Sequence, residues 1–167
     1  MDIGLLLLRL VLGLTMAAHG SQKLFGWFGG YGLAGTGGWM EGLGFRPGRV
    51  HAAAAGTAEF IGGLLIALGL FTPVGSALLI TVMVVAIATV HVPKGFFVTD
   101  GGYEYPLLIS TVAATLAFAG PGAYSLDAVD GLELAGWLPG VVAVAAGLVA
   151  AGGALATRRP APVAPQS

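Results

Sequence analysis

Of the chain's 167 residues only 9% are charged while 56% are hydrophobic, and the formal net charge is −1. A soluble domain carries about a quarter charged residues, so this is membrane-protein composition, with the lipid bilayer as the main partner. The seven Lys and Arg are scattered and no cysteine is present, which excludes a basic nucleic-acid face, thiolate nucleophiles, iron–sulfur ligation and cysteine-bound zinc.

Any redox role must therefore borrow a cofactor. In chain order, the first apolar run, Ile3 to Leu24, is long enough to span a bilayer. A cleaved signal peptide is the competing reading, and the acidic start Met1-Asp2 together with Arg9 inside the run argues against it. Residues 25 to 49 are glycine-rich and carry Trp27, Phe28, Tyr31, Trp39 and Phe45, rings that favour the headgroup level. That connection is expected to lie on the membrane surface, with a short helix around Leu33 to Leu43. Within it Gly30-Tyr31-Gly32-Leu33-Ala34-Gly35 matches a dinucleotide-binding pattern, but no strand precedes it, and such a fold is rejected.

Further spans are expected at Val50 to Phe71, Val74 to Val92 and Glu104 to Ala119, with Pro73 starting a helix after a tight turn. Residues 93 to 103 form a medium loop and residues 120 to 133 an acidic one. A fifth span, Leu134 to Ala156, is rich in Ala and Gly, and the Pro-rich tail, 158 to 167, reads as disordered. Gly13 with Ala17, and Ala143 with Gly147 and Ala151, have the small-residue spacing of close helix packing. The fold expected is all-α: a transmembrane four-helix bundle within residues 1 to 130 plus a fifth C-terminal transmembrane helix within 131 to 157. With five spans, Lys23, Arg46, Arg49, Lys94, Arg158 and Arg159 fall on one side and Asp127, Asp130 and Glu133 on the other. The positive-inside rule then places the N-terminus outside and the C-terminus in the cytoplasm.

Ionisable residues at membrane depth cost at least about 2.5–3.5 kcal/mol on insertion scales, so each is a functional hypothesis with a partner to find. Counting depth at about 1.5 Å per residue brings Arg9 and Glu59 within reach as an intramembrane ion pair. It brings His19, Lys23, His91 and Glu104 to a common level at the inner ends of the first, third and fourth spans, where they form a candidate ligand-binding pocket. The plainer alternative is that Lys23 snorkels and His19 caps its helix. A His19–His91 pair could also ligate haem, although no haem-binding pattern accompanies it, and no metal site is expected. His51 reads as an exposed interfacial residue.

Six pieces in this order, LLLRLVLG ending HGSQKLFGWFGG, GLAGTGGWMEGLGFRPG, AEFIGGLLIALGLFTP, the AxxTVH end, GGYEYPLL and GPGAYSLD, resemble the DoxX family of small bacterial membrane proteins over about residues 3 to 130. The resemblance implies a four-helix bundle in the cell membrane, associated with membrane oxidoreductases such as a thiosulfate:quinone oxidoreductase and with oxidative-stress complexes. It carries over Arg9, His19, Gly20, Lys23, Glu59, Gly62, Gly63, His91, Glu104 and Pro106. The functional expectation is a membrane subunit of a redox system with a polar pocket for a quinone-like ligand, served by a redox partner subunit and open to oligomerisation. A non-enzymatic scaffold is the first alternative and a small-solute or proton transporter the second.

Overall fold

A computed structural model describes residues 1–159, so most of the tail read as disordered, from residue 160 on, lies outside the described residues. The described chain is helical, with helices α1 (Asp2–Phe25), α2 (Gly32–Gly42), α3 (Gly48–Leu68), α4 (Thr72–Ala86), α5 (Glu104–Ala119), α6 (Leu126–Val129) and α7 (Trp137–Ala156). A π-helical turn over Ile87–His91 continues α4. Gly26 and Gly69, both left-handed, terminate α1 and α3, the conformation glycine adopts without Cβ strain. The Gly-rich stretch that imitates a dinucleotide loop runs straight into α2, and no strand occurs among the described residues.

Among the described residues four helices are long and apolar enough to cross a membrane: α1, α3, α4 with its extension to Lys94, and α7. Helix α5 has the bounds expected from the sequence but only 16 residues, about 24 Å of rise against a hydrocarbon core of about 30 Å. The segment after it packs into the protein, with Gly120 and Pro121 buried. Non-helical backbone at that depth needs internal hydrogen-bond partners, and this requirement decides the role of Arg9 below.

The tightest packing joins α1 to α3. Gly13 faces the backbone of Gly63 and Ala67, where an added Cβ would lie 2.5 Å from the Gly63 carbonyl oxygen and the Ala67 nitrogen. Gly20 meets Gly56 and Phe60 in the same way. Two contacts seven residues apart on each helix of the pair fix the antiparallel register of α1 and α3. Leu12 and Met16 of α1 then join Ile66, Leu79, Ile80, Met83, Ile109, Ala113 and Leu116 in one buried cluster. Helix α7 lies outside this group against α4 and α5, burying Ala143, Gly147 and Ala151. Gly147 packs on Ile80, and its carbonyl accepts the Thr81 hydroxyl at 3.2 Å. Gly63→Val should therefore force α1 and α3 apart and lower stability by roughly 1–3 kcal/mol, the usual cost of overpacking, read as an earlier thermal transition in detergent. An unchanged transition would show that the interface yields.

Candidate functional site

Below Glu59 the bundle opens. A cavity of about 480 Å³ is lined by α1, by α2 and the turn that follows it, and by α3, α4, α5 and α7. All three histidines of the chain, His19, His51 and His91, reach its wall, together with Lys23, Glu59, Thr81 and Thr89. The remaining wall is apolar and sulfur-rich, with Met16, Met40, Met83, Trp39 and Phe45 among its residues.

Each polar group is placed by a local feature of its element. His19 and Lys23 are four residues apart on α1 and so share a face. Lys23 Nζ forms an ion pair with Glu59 Oε2. The carboxylate is buried, at 3% side-chain exposure, whereas the lysine keeps 24%. His91 ends the π-helical turn, a distortion that re-aims side chains and recurs at functional sites. Its Nδ1 lies 2.7 Å from the Gly101 carbonyl oxygen; because a carbonyl can only accept, Nδ1 carries a proton, and Nε2 is left for proton exchange. Trp39 and Met40 come from the surface helix α2, whose turn brings Phe45 against His51 with ring centroids 5.1 Å apart. Helix α7 closes the floor: Ala154 lines the cavity, Arg158 Nε donates to the Leu43 carbonyl at 2.6 Å, and the Arg159 amide donates to Gly44 at 2.8 Å.

An apolar chamber with one buried ion pair and three imidazoles can hold a flat, mostly apolar molecule and exchange protons with it. Among the described residues no group of three or more His, Cys, Asp or Glu is arranged to hold a metal ion.

The DoxX family profile matches residues 4–92 of the chain, which takes in α1 to α4 and the His91 turn. The chain belongs to the DoxX family. A relative from Bacillus subtilis (strain 168), carrying the name "Putative oxidoreductase CatD", is 31% identical over 126 residues, covering 75% of this chain and 86% of that protein. No solved structure gives a significant match. As a DoxX protein with several apolar membrane-length helices, the chain is a membrane protein in contact with lipid.

In this DoxX chain the structure rearranges the partners that depth counting proposes. Arg9 does not pair with Glu59. The α1–α3 register sets Arg9 opposite Gly69, ten residues and so about 15 Å from Glu59 along the helix. Its guanidinium instead donates to the Pro121 carbonyl and, at 2.7 Å, to that of Tyr124. Glu59 takes Lys23 because the same register brings the lower part of α1 to that level. Glu104 also leaves the expected group. As the first residue of α5 it turns back to the preceding loop, where its Oε2 accepts the Val98 amide at 2.9 Å, and its neighbours Tyr105 and Pro106 line the cavity instead. The three expected residues that do share the cavity are His19, Lys23 and His91.

Sequence reasoning missed His51, Trp39 and the cavity side of Glu59. The signal for His51 was its position three residues into α3, close enough to the bundle end to turn inward once α2 covers that end. It also missed Asp127, which is buried and accepts from the Phe71 amide at 2.7 Å, the Thr72 amide at 3.2 Å and the Thr72 hydroxyl at 3.0 Å. A carboxylate from the short helix α6 thus caps the start of α4.

Proposed function

We propose that this DoxX protein is the membrane subunit of an oxidoreductase system and that its cavity holds the head of a quinone-like molecule. The observation that supports this reading most directly is the convergence of every histidine in the chain, with the Lys23–Glu59 pair, on one otherwise apolar chamber. Its volume of about 480 Å³ lies inside the roughly 300–1,000 Å³ typical of small-molecule sites. The name of the Bacillus relative adds the word oxidoreductase and nothing about a ligand.

In this reading His91 handles the proton at a quinone oxygen. Its Nδ1 stays tied to Gly101, so Nε2 accepts a proton from a quinol hydroxyl, or donates one to a quinone carbonyl when the ring is charged. His19 supplies a second imidazole on the α1 side, and Lys23 supplies positive charge moderated by Glu59. Met16, Met40 and Trp39 give polarizable surface to a flat ring. A bound quinone would contribute two-electron, two-proton chemistry, with a partner subunit supplying the electrons for quinone reduction or accepting them from quinol oxidation. We place the end carrying Lys23, Arg46, Arg49, Lys94, Arg158 and Arg159 in the cytoplasm of a cell membrane, in keeping with the positive-inside rule. We read residues 131–157 as a helix added to the family core.

The test uses the full chain in lipid nanodiscs. Quinone should co-purify and be identifiable by mass spectrometry, and His91→Phe should weaken binding of a decyl-substituted quinone by about tenfold, the worth of one buried hydrogen bond. Glu104→Gln, outside the cavity, should leave it unchanged. Absence of binding to the native protein, or equal affinity in His91→Phe, would remove the quinone reading and favour the scaffold one. For that second reading the supporting observation is Arg9, a buried charge already committed to holding backbone.

A further inference from the structure

The cavity shares part of its α3 wall with a second, outward-facing depression. Two residues of its α3 wall, Ala54 and Ala58, also line a second depression of about 400 Å³, whose other walls are Ala53, Thr57, Ile61 and Leu78. Ala54, Thr57 and Ile61 are exposed on the outer face of α3, so this depression is a groove on the lipid-facing surface between α3 and α4. The two helices are clamped near their connecting turn, where Gly62 packs on Leu78 and the Gly75 carbonyl. Alanines at 58 and 54 lie about one and two helical turns below that clamp, and their side chains are small.

We infer that the seam between α3 and α4 is a lateral portal and that the groove is a subsite for an aliphatic or isoprenoid chain attached to the molecule whose head occupies the cavity. The inference rests on the quinone-head reading and adds to it the half of the ligand that stays in the membrane. A chamber carrying the imidazoles and the ion pair, and an apolar groove that shares two alanines with it, match the two halves of a tailed amphiphile. A head entering from the bilayer through the seam would leave its chain where it started, in an apolar medium. Transfer of the chain from lipid to groove is close to neutral, since lipid tails are as apolar as the groove. The groove therefore acts on placement more than on affinity, and the measurement must report position.

The experiment is photolabelling of the full chain in nanodiscs with two quinones, one carrying a diazirine on its ring and one carrying it midway along a decyl chain, with adducts located by mass spectrometry. The ring probe is expected to mark cavity residues such as Trp39 and Met40. The chain probe should mark Thr57, Ile61 or Leu78, an excess of unlabelled decyl quinone should suppress that labelling severalfold, and His91→Phe should reduce it by releasing the head. Thr57→Phe, on an exposed helix face, should fill the groove and shift the chain adducts elsewhere while ring adducts persist. Ring labelling in the cavity with chain labels spread over all lipid-facing helices, α7 residues such as Val142 and Val149 included, would overturn the chain subsite and leave the head site standing. Absence of competable labelling by either probe would overturn both.

Discussion

Lys23→Met is expected to destabilise the folded protein by about 3–5 kcal/mol, the range seen when one partner of a buried ion pair is removed. The two members of the pair are unequal. Glu59 is enclosed by α1, α3 and the cavity wall at 3% side-chain exposure, whereas Lys23 retains 24% and stands two residues from the end of α1. Without the ammonium, the buried carboxylate loses its ion-pair partner. Without the carboxylate, the lysine can extend along its four-carbon stem toward the nearby helix end. Glu59→Gln should therefore cost clearly less than Lys23→Met, and the double change Lys23→Met with Glu59→Met should recover much of the single loss, because two apolar side chains leave no buried charge. Unfolding in graded denaturing detergent, followed by circular dichroism, gives the order. If Glu59→Gln proves the more damaging change, or if the double variant simply adds the two losses, the pair is not the coupled unit that the geometry describes.

The same pair shows how far the sequence could be read. Helix positions were legible because long apolar runs have few alternatives; α5 begins at Glu104 and ends at Ala119 as expected, and the small-residue spacing at Gly13 and Ala17 marks the α1–α3 contact. The gathering of His19, Lys23 and His91 was legible too, since each ends an apolar run on the same side of an alternating bundle. Partner choice was not. Depth counted from the ends of hydropathy segments carries an error of several residues at each end, and an ion pair changes identity within one or two turns. Glycines facing glycines are a finer ruler, because backbone contact tolerates no slippage: Gly13 on Gly63 and Gly20 on Gly56 set Glu59 beside the lower part of α1. That Glu104 faces the loop before it, and that Asp127 is buried while Asp130 and Glu133 remain exposed, depends on the conformation of connections with no periodicity to read.

Arg9→Leu is the second large expected effect, and it separates architecture from ligand chemistry. Arg9 has 1% of its surface exposed and supplies the donors for two carbonyls, Pro121 and Tyr124, in the stretch that follows the short helix α5. Leucine would fill much of the space but leave both carbonyls without this donor, at about 1–3 kcal/mol for the buried Pro121 contact and less for the partly exposed Tyr124 one. The consequence should spread along a defined chain of contacts. The 120–130 segment positions Asp127, whose amide donates to the Gly69 carbonyl at 2.8 Å and whose carboxylate holds the Phe71 and Thr72 amides. A loosened segment therefore uncaps α4, and the amides of Phe71, Thr72 and Asp127 should exchange with deuterium faster than in the native protein. Arg9→Lys should fall between the two, since an ammonium cannot present the planar fork that reaches two carbonyls at once. Ligand affinity should hold at temperatures where the variant remains folded, because the cavity lies at the other end of the bundle and its wall includes neither Arg9 nor Asp127. Should Arg9→Leu instead keep its stability and its slow exchange while losing ligand, Arg9 would belong to the binding machinery and its hydrogen bonds to the 121–124 segment would be incidental.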